Sequence, residues 1–162
     1  MTEAIQYLTM GLTDEVLALP VQQVREILEA LPVARLPHAP RHLLGMLDLR
    51  GQSVPVIDLR LWLGMEATND ADTTRIIVVD TRSEGGGALF GVKADRVFEV
   101  TALDSPDLEA APEIGGRWRR EALAGIGRRN GTFVVVLDLV RLLDAERSAE
   151  LAAEPSPAVA AA

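Results

Sequence analysis

The side chains that could do chemistry are few, and their spacing decides against most of it. His38 and His42 are the chain's two histidines, four residues apart, the spacing of two metal ligands on one helix face. Pro37 and Pro40 interrupt a continuous helix there, and no third ligand stands nearby, so they read as loop histidines. Without another histidine to serve as base, a Ser-His-Asp triad has little support. There is no cysteine, which removes disulfides, thiolate metal sites and cysteine nucleophiles and suits a reducing cytosol. Asp58 and Asp138 invite a carboxylate-pair reading. Each, however, closes an apolar run and opens a short helical one, which is the place of an N-cap. "EGGGA" at 84–88 lacks the Gly-Lys-Ser/Thr ending of a phosphate loop and precedes a strand, so it reads as a hairpin loop. "RWRR" at 117–120, with Arg128 and Arg129, forms a basic cluster around Trp118. The preceding Glu99, Asp104, Asp107, Glu109 and Glu113 favour internal charge complementation or protein docking over RNA. No catalytic constellation, metal site or cofactor motif emerges, and the pattern favours an adaptor over an enzyme.

Composition bounds the elements that must carry these residues. The 162 residues are enough for one ordinary domain, and 48% are apolar, the mark of a globular chain. A formal net charge of −8 argues against general nucleic-acid binding, which needs a basic surface. No apolar run approaches a membrane span, and the polar "MTEAIQYLTM" start with Glu3 is no signal peptide, so the cytoplasm is the expected location. After Arg147 the chain turns Ala- and Pro-rich, so residues 1–147 are expected to fold and 148–162 to form a disordered tail.

Within the domain, β signals dominate. Ile5–Met10, Val16–Leu19, Val24–Leu28, Met46–Leu49, Val54–Ile57, Arg75–Asp80, Ala88–Val92, Arg96–Thr101 and Phe133–Leu137 read as short strands bounded by turn residues. Helices are expected to be short: one turn at Arg41–Leu44, then Leu59–Leu63 after Asp58 and Leu139–Leu143 after Asp138. "GMLDLRGQSVPVIDLRLWL" and "GIGRRNGTFVVVLDLVRLL" match at one offset, pairing Gly45 with Gly125, Gly51 with Gly131, Val54 with Val134, Val56 with Val136 and Asp58 with Asp138. A weaker echo links "VREI" at 24–27 to "VFEV" at 97–100. The chain thus reads as a tandem duplication of a small β unit. Neither half can bury much alone, so the expectation is two small barrels packed face to face on one core.

The copies differ at one turn. The second hairpin carries Asn130-Gly131, the usual two-residue signal, where the first carries Arg50-Gly51. Arg50 has no local advantage at a turn, which suggests that its charge is used elsewhere. Pro55 stands where the second copy has Val135, and a proline in a strand implies an edge or a bulge. Together they suggest an outward-facing binding surface on the first copy.

"YLTM", "LALPVQQVREIL", "VARLPHAPRHLLGMLDLRGQSVPVIDLR", "TRIIVVD", "FGVKADRVFEV" and "LAGIGRRNGTFVVVLDLVRLL", in this order, resemble the CheW-like domain of bacterial chemotaxis coupling proteins up to the alanine-rich tail. The resemblance implies a mainly β fold of two five-stranded SH3-like barrels around a shared core, with short helical turns. It implies a scaffold without catalysis or cofactor, linking the cytoplasmic tips of chemoreceptors to the regulatory domain of a CheA-type histidine kinase in receptor arrays. The family's Asn-Leu-Arg-Gly motif falls on Asp48-Leu49-Arg50-Gly51, with Asp48 departing from the usual Asn. Its Val-x-Glu-Ile segment falls on Val24, Glu26 and Ile27. The resemblance assigns receptor coupling to Glu26, Ile27 and Arg50, with Glu26 and Arg50 as a pair, and kinase contact to Val33, Gly45 and Gly51. For Val24, Val33, Gly45 and Gly51, core or turn roles stand equally open. An adaptor of a non-flagellar pathway and a regulatory fragment of a histidine kinase remain the alternatives. The second lacks a phospho-accepting helix and an ATP-binding domain.

Overall fold

The computed structural model describes residues 5–85, 87–110 and 122–153. Ten strands and two helices follow in the order β1 (Tyr7–Leu12), β2 (Glu15–Pro20), β3 (Val24–Glu29), β4 (Leu43–Leu49), β5 (Gln52–Asp58), α1 (Leu59–Trp62), β6 (Arg75–Asp80), β7 (Leu89–Ala94), β8 (Arg96–Thr101), β9 (Leu123–Arg129), β10 (Thr132–Leu137) and α2 (Leu139–Ala153). They make two five-stranded sheets, β8-β1-β2-β10-β9 and β3-β6-β7-β5-β4. This is the mainly β, SH3-like pairing expected. Neither ladder closes on itself; the outer strands are β8 and β9 in the first sheet, β3 and β4 in the second.

The duplication is visible strand by strand. The parallel contacts Val136↔Ala18 and Val56↔Gly91 equate β10 with β5 and β2 with β7. Yet the repeats do not pack as two separate barrels. The first sheet takes β1 and β2 from the first copy and β8–β10 from the second, and the second sheet takes the remainder. The two five-stranded units share one core, as expected, but each is completed by strands from both repeats rather than built from one repeat alone.

Period-two alternation divides the apolar residues between two faces. Leu8, Met10, Leu17 and Leu19 of the first sheet meet Ile57, Ile77, Val79, Phe90 and Val92 of the second in one shared core. Leu59, Trp62, Leu139 and Leu142 of the two helices complete it. The opposite faces line two smaller interiors: Tyr7, Ala18, Val134 and Val136 in the first sheet, and Leu47, Val56 and Ile76 in the second.

Four local expectations change. The turn at Arg41–Leu44 is not helical, because β4 begins at Leu43 and pairs with Ile57. β1 runs Tyr7–Leu12 rather than Ile5–Met10, following its pairing with β2 down to Leu12↔Glu15. The closing helix does not stop at Leu143 but runs on to Ala153, past the expected start of the tail at 148; residues 154–162 lie outside those described. Finally, Pro55 marks no edge, since β5 lies between β7 and β4. Met46, its partner on β4, exchanges both backbone hydrogen bonds with Ala34 on the far side, so the missing N–H of Pro55 leaves no gap toward β4. The ladder to β7 begins only at Val56.

Candidate functional site

The Arg50-Gly51 turn joins β4 to β5 directly after the Leu49↔Gln52 pair. Both turn residues are left-handed, with φ 51° at Arg50 and 83° at Gly51, and Asn130 and Gly131 repeat this at 52° and 80°. Positive φ at both positions defines the hairpin turn whose twist matches its strands. An arginine in that conformation needs support, and Asp48 supplies it: its Oδ1 accepts from the Gly51 N–H at 2.8 Å. In the second copy the same service comes from outside the hairpin. Asp104 accepts from the N–H groups of Asn130 at 2.9 Å and Gly131 at 3.0 Å, and these bonds hold its carboxyl below the usual range.

The Arg50 side chain leaves the turn and reaches β3. Its two terminal nitrogens donate to the two oxygens of Glu26, at 3.2 Å and 2.8 Å. This two-point contact fixes orientation as well as distance. The hydrogen bonds from Arg50 hold the Glu26 carboxyl below its ordinary value, and Glu26 in turn raises Arg50. The Arg50 side chain remains 72% exposed and that of Glu26 29%. Alternation explains the difference: Val24, Glu26 and Leu28 share the half-buried face of β3, while Arg25, Ile27 and Glu29 face outward. Ile27, next along β3 on its outward face, is 42% exposed.

The remaining residues of the expected site fall apart by role. A Cβ on Gly45 would strike the backbone carbonyl of Ala34, and its φ is 155°, so glycine there permits the close approach that bridges Ala34 to Met46. Gly51 has open space around it and is a turn glycine with an accessible surface. Val33 packs at the edge of the second sheet's interior and lines a groove of about 250 Å³ with Leu31, Pro32, Arg35 and Leu44. Asp58 accepts from the Arg60 N–H at 3.0 Å and Asp138 from the Arg141 N–H at 3.0 Å, so each aspartate caps its helix. Burial pushes the Asp58 carboxyl up, while Lys93 and Arg60 pull it back. His42 stacks on Trp62, ring centroids 6.0 Å apart, with Nε2 3.7 Å from Glu146 of α2. Among the described residues no group of three or more acidic, histidine or cysteine side chains could hold a metal ion. The cluster at 117–120 lies outside the described residues.

One pair escaped sequence reading. Glu99 on β8, the counterpart of Glu26, lies with its Oε1 3.5 Å from Arg129 Nε, one residue before the second turn. The echo between "VREI" and "VFEV" aligned the two glutamates, but the arginine had moved one position along its hairpin.

With this geometry in hand, comparison with known proteins places the chain. The family model described as the CheW-like domain matches residues 6–147, and the chain belongs to that family. It is 29% identical to the chemotaxis protein CheW of Helicobacter pylori over 141 residues, covering 87% of this chain and 82% of that one. It is 27% identical to the protein of the same name from Rhizobium meliloti, over 90% and 97% of the two chains. Protein FrzA of Myxococcus xanthus is 29% identical over 84% and 83%. The crystal structure of the scaffolding protein TtCheW from Thermoanaerobacter tengcongensis superposes with a TM-score of 0.76 at 24% identity, over 88% of this chain and 89% of that one, and shares its fold.

Proposed function

We propose that this protein is a chemotaxis coupling scaffold that links chemoreceptors to a CheA-type histidine kinase and lets receptor state control autophosphorylation. The observation that carries the reading is the family match across nearly the whole described domain. The two-point Arg50–Glu26 clasp, which the family motifs point to, supports it. An adaptor works by presenting surfaces, and the clasp presents one: a charged tip on β4–β5 held to β3 by two hydrogen bonds. Charge at such a rim selects partner and orientation more than it adds affinity. Glu26, Ile27 and Arg50 form the receptor-facing set. Val33 and Gly51, with the adjoining groove and the exposed Leu31 and Leu36, form the kinase-facing set. Gly45 serves it indirectly by keeping β4 against Ala34. The scaffold acts in the cytoplasm at receptor arrays, needs no cofactor and catalyses nothing. No helix among the described residues is long and apolar enough to cross a membrane.

The deciding experiment is reconstitution of receptor-containing membranes with a CheA-type kinase, with and without this protein. The expected outcome is receptor-dependent stimulation of autophosphorylation; binding to neither component would overturn the reading. The receptor and kinase that co-purify from the native cell distinguish a flagellar pathway from surface motility or biofilm control.

A further inference from the structure

The turn of the second hairpin carries a chemical liability that the first lacks. The chain has two asparagines, Asn69 and Asn130, and only Asn130 stands before a glycine. An Asn-Gly step can modify itself without an enzyme. The glycine amide nitrogen attacks the asparagine Cγ and gives up its proton to a base in solution. The Cγ–NH2 bond breaks, ammonia leaves, and a succinimide ring remains. Water then opens the ring at either carbonyl, leaving aspartate, or isoaspartate with the main chain rerouted through the side chain. Glycine makes the step easy because no side chain hinders its nitrogen.

The setting favours the reaction. Asn130 and Gly131 are exposed, and a Cβ on Gly131 would meet nothing within 4 Å, so water and base reach the turn. What stands in the way is Asp104. Its Oδ2 accepts from the Gly131 N–H at 3.0 Å, so the nitrogen that must attack is engaged elsewhere. Its Oδ1 accepts from the Asn130 N–H at 2.9 Å, which pins the residue that would be attacked. Asp104 is held in place in turn, since its own N–H donates to the Arg128 carbonyl at 2.7 Å. The bonds from Gly131 and Asn130 hold its carboxyl below the usual range. The acceptor therefore keeps its charge at the neutral and alkaline pH where base promotes the attack.

The first copy shows what differs. There the acceptor for the Gly51 N–H is Asp48, inside the hairpin, at 2.8 Å. Arg128 occupies the matching position in the second copy and offers no carboxylate, so the acceptor arrives from the loop after β8. Arg50 has no side-chain amide for a backbone nitrogen to attack, and the first turn is chemically inert in this respect.

We propose that Asn130-Gly131 is a site of spontaneous deamidation and that Asp104 holds it closed. The reaction proceeds only from conformations in which the loop after β8 has let go of the hairpin tip. Isoaspartate adds a methylene to the main chain of a two-residue turn. Either product adds a negative charge one residue from Arg129, the partner of Glu99. The inference concerns the isolated chain and is independent of the partners proposed above.

The test follows deamidation of the full-length protein during incubation at mildly alkaline pH. Samples are digested with trypsin under mildly acidic conditions, and the peptide that begins at Asn130 is read by mass spectrometry for replacement of NH by O. The folded protein is compared with the same protein unfolded in urea and with folded Asp104→Ala. Deamidation is expected to be slowest in the folded unmodified protein. Asp104→Ala should be several-fold faster, approaching the unfolded rate, while its circular dichroism stays that of the folded protein. Asp104→Asn, with one acceptor oxygen in place of two, should fall between them and covers the case in which alanine loosens the whole domain. A folded protein that deamidates as fast as the unfolded one would overturn the proposal. So would Asp104 variants no faster than the unmodified protein, which would make turn geometry alone the barrier, or slower ones, which would make the carboxylate a base for the attack.

Discussion

Arg50 and Glu26 show how a side chain that is out of place locally can be well placed a strand away. As an αL turn residue, arginine gains nothing over asparagine; as a two-point partner of Glu26 it locks the hairpin tip to β3. Arg50→Asn should therefore leave the melting temperature almost unchanged, because asparagine suits the left-handed turn, while receptor-dependent kinase activity falls. A strong loss of stability with unchanged activity per folded molecule would make the arginine structural. Arg50→Glu should abolish activation, and Glu26→Arg in the same protein should restore part of it if the pair acts as a unit. The readout is a double-mutant cycle on kinase activity, with a melting curve for each protein. A second residue shows pH dependence. Hydrogen bonds from Arg82 hold the Asp80 carboxyl at about 2, below its ordinary 3.8, with Arg25 adding to the field. A lowered carboxylate stabilises the fold above its unfolded value and loses that contribution as pH falls through the folded one. Acid destabilisation between about pH 4 and about pH 2 should therefore be shallower in Asp80→Asn, as measured by urea midpoints across that range.

At the scale of elements, the β4–β5 hairpin and its copy β9–β10 solve one problem with different parts. Both bulge before the glycine that admits a bridging segment, Gly45 beside Ala34 and Gly125 beside Glu109. That bridge covers part of an outer strand that would otherwise offer unpaired backbone. Gly45→Ala drives a methyl into a backbone carbonyl that has no rotamer to escape by, and should cost at least about 2 kcal/mol. Gly51→Ala meets open space and only the left-handed backbone, so about 1 kcal/mol is expected. Denaturant midpoints decide between them, and the sharper test is binding: kinase affinity per folded molecule should change more for Gly51 than for Gly45. The reverse order would place the kinase contact nearer Ala34.

For the molecule as a whole, the exchange of strands governs stability. A chain cut between the repeats, near residue 67, leaves β1–β2 without the rest of their sheet and β3–β5 without β6 and β7. Residues 1–67 alone should therefore lack stable β structure by circular dichroism. The intact protein should unfold in one transition, with far-ultraviolet ellipticity and tryptophan fluorescence coinciding, because both sheets share one core. Two resolved transitions would mean that the sheets are independent despite the exchange.

Local chemistry was legible in the order of the residues. Alternating apolar runs, Gly-bearing turns and aspartate caps mark most strands and both helices, and a fixed offset between matching motifs marks the duplication, since these depend on neighbours along the chain. β9, poor in β formers with its Gly125 and Gly127, is absent from the strands read in the sequence, and only the match of its segment to that of β4 hints at it. What depends on distant partners was not legible. Strand exchange, the interior place of Pro55 and the capping role of Asp48 require knowing which backbone groups face which. So does the filling of the first sheet's interior, where a side chain on Gly127 would meet Leu103 and Leu108 arriving from the loop after β8, while the second sheet has Leu47. The resemblance paired Glu26 with Arg50, but only the tertiary structure gave the pair its two-point geometry and its weaker counterpart, Glu99–Arg129. Periodicity along a strand says which face a side chain takes; the pairing of strands far apart in the chain decides what that face meets.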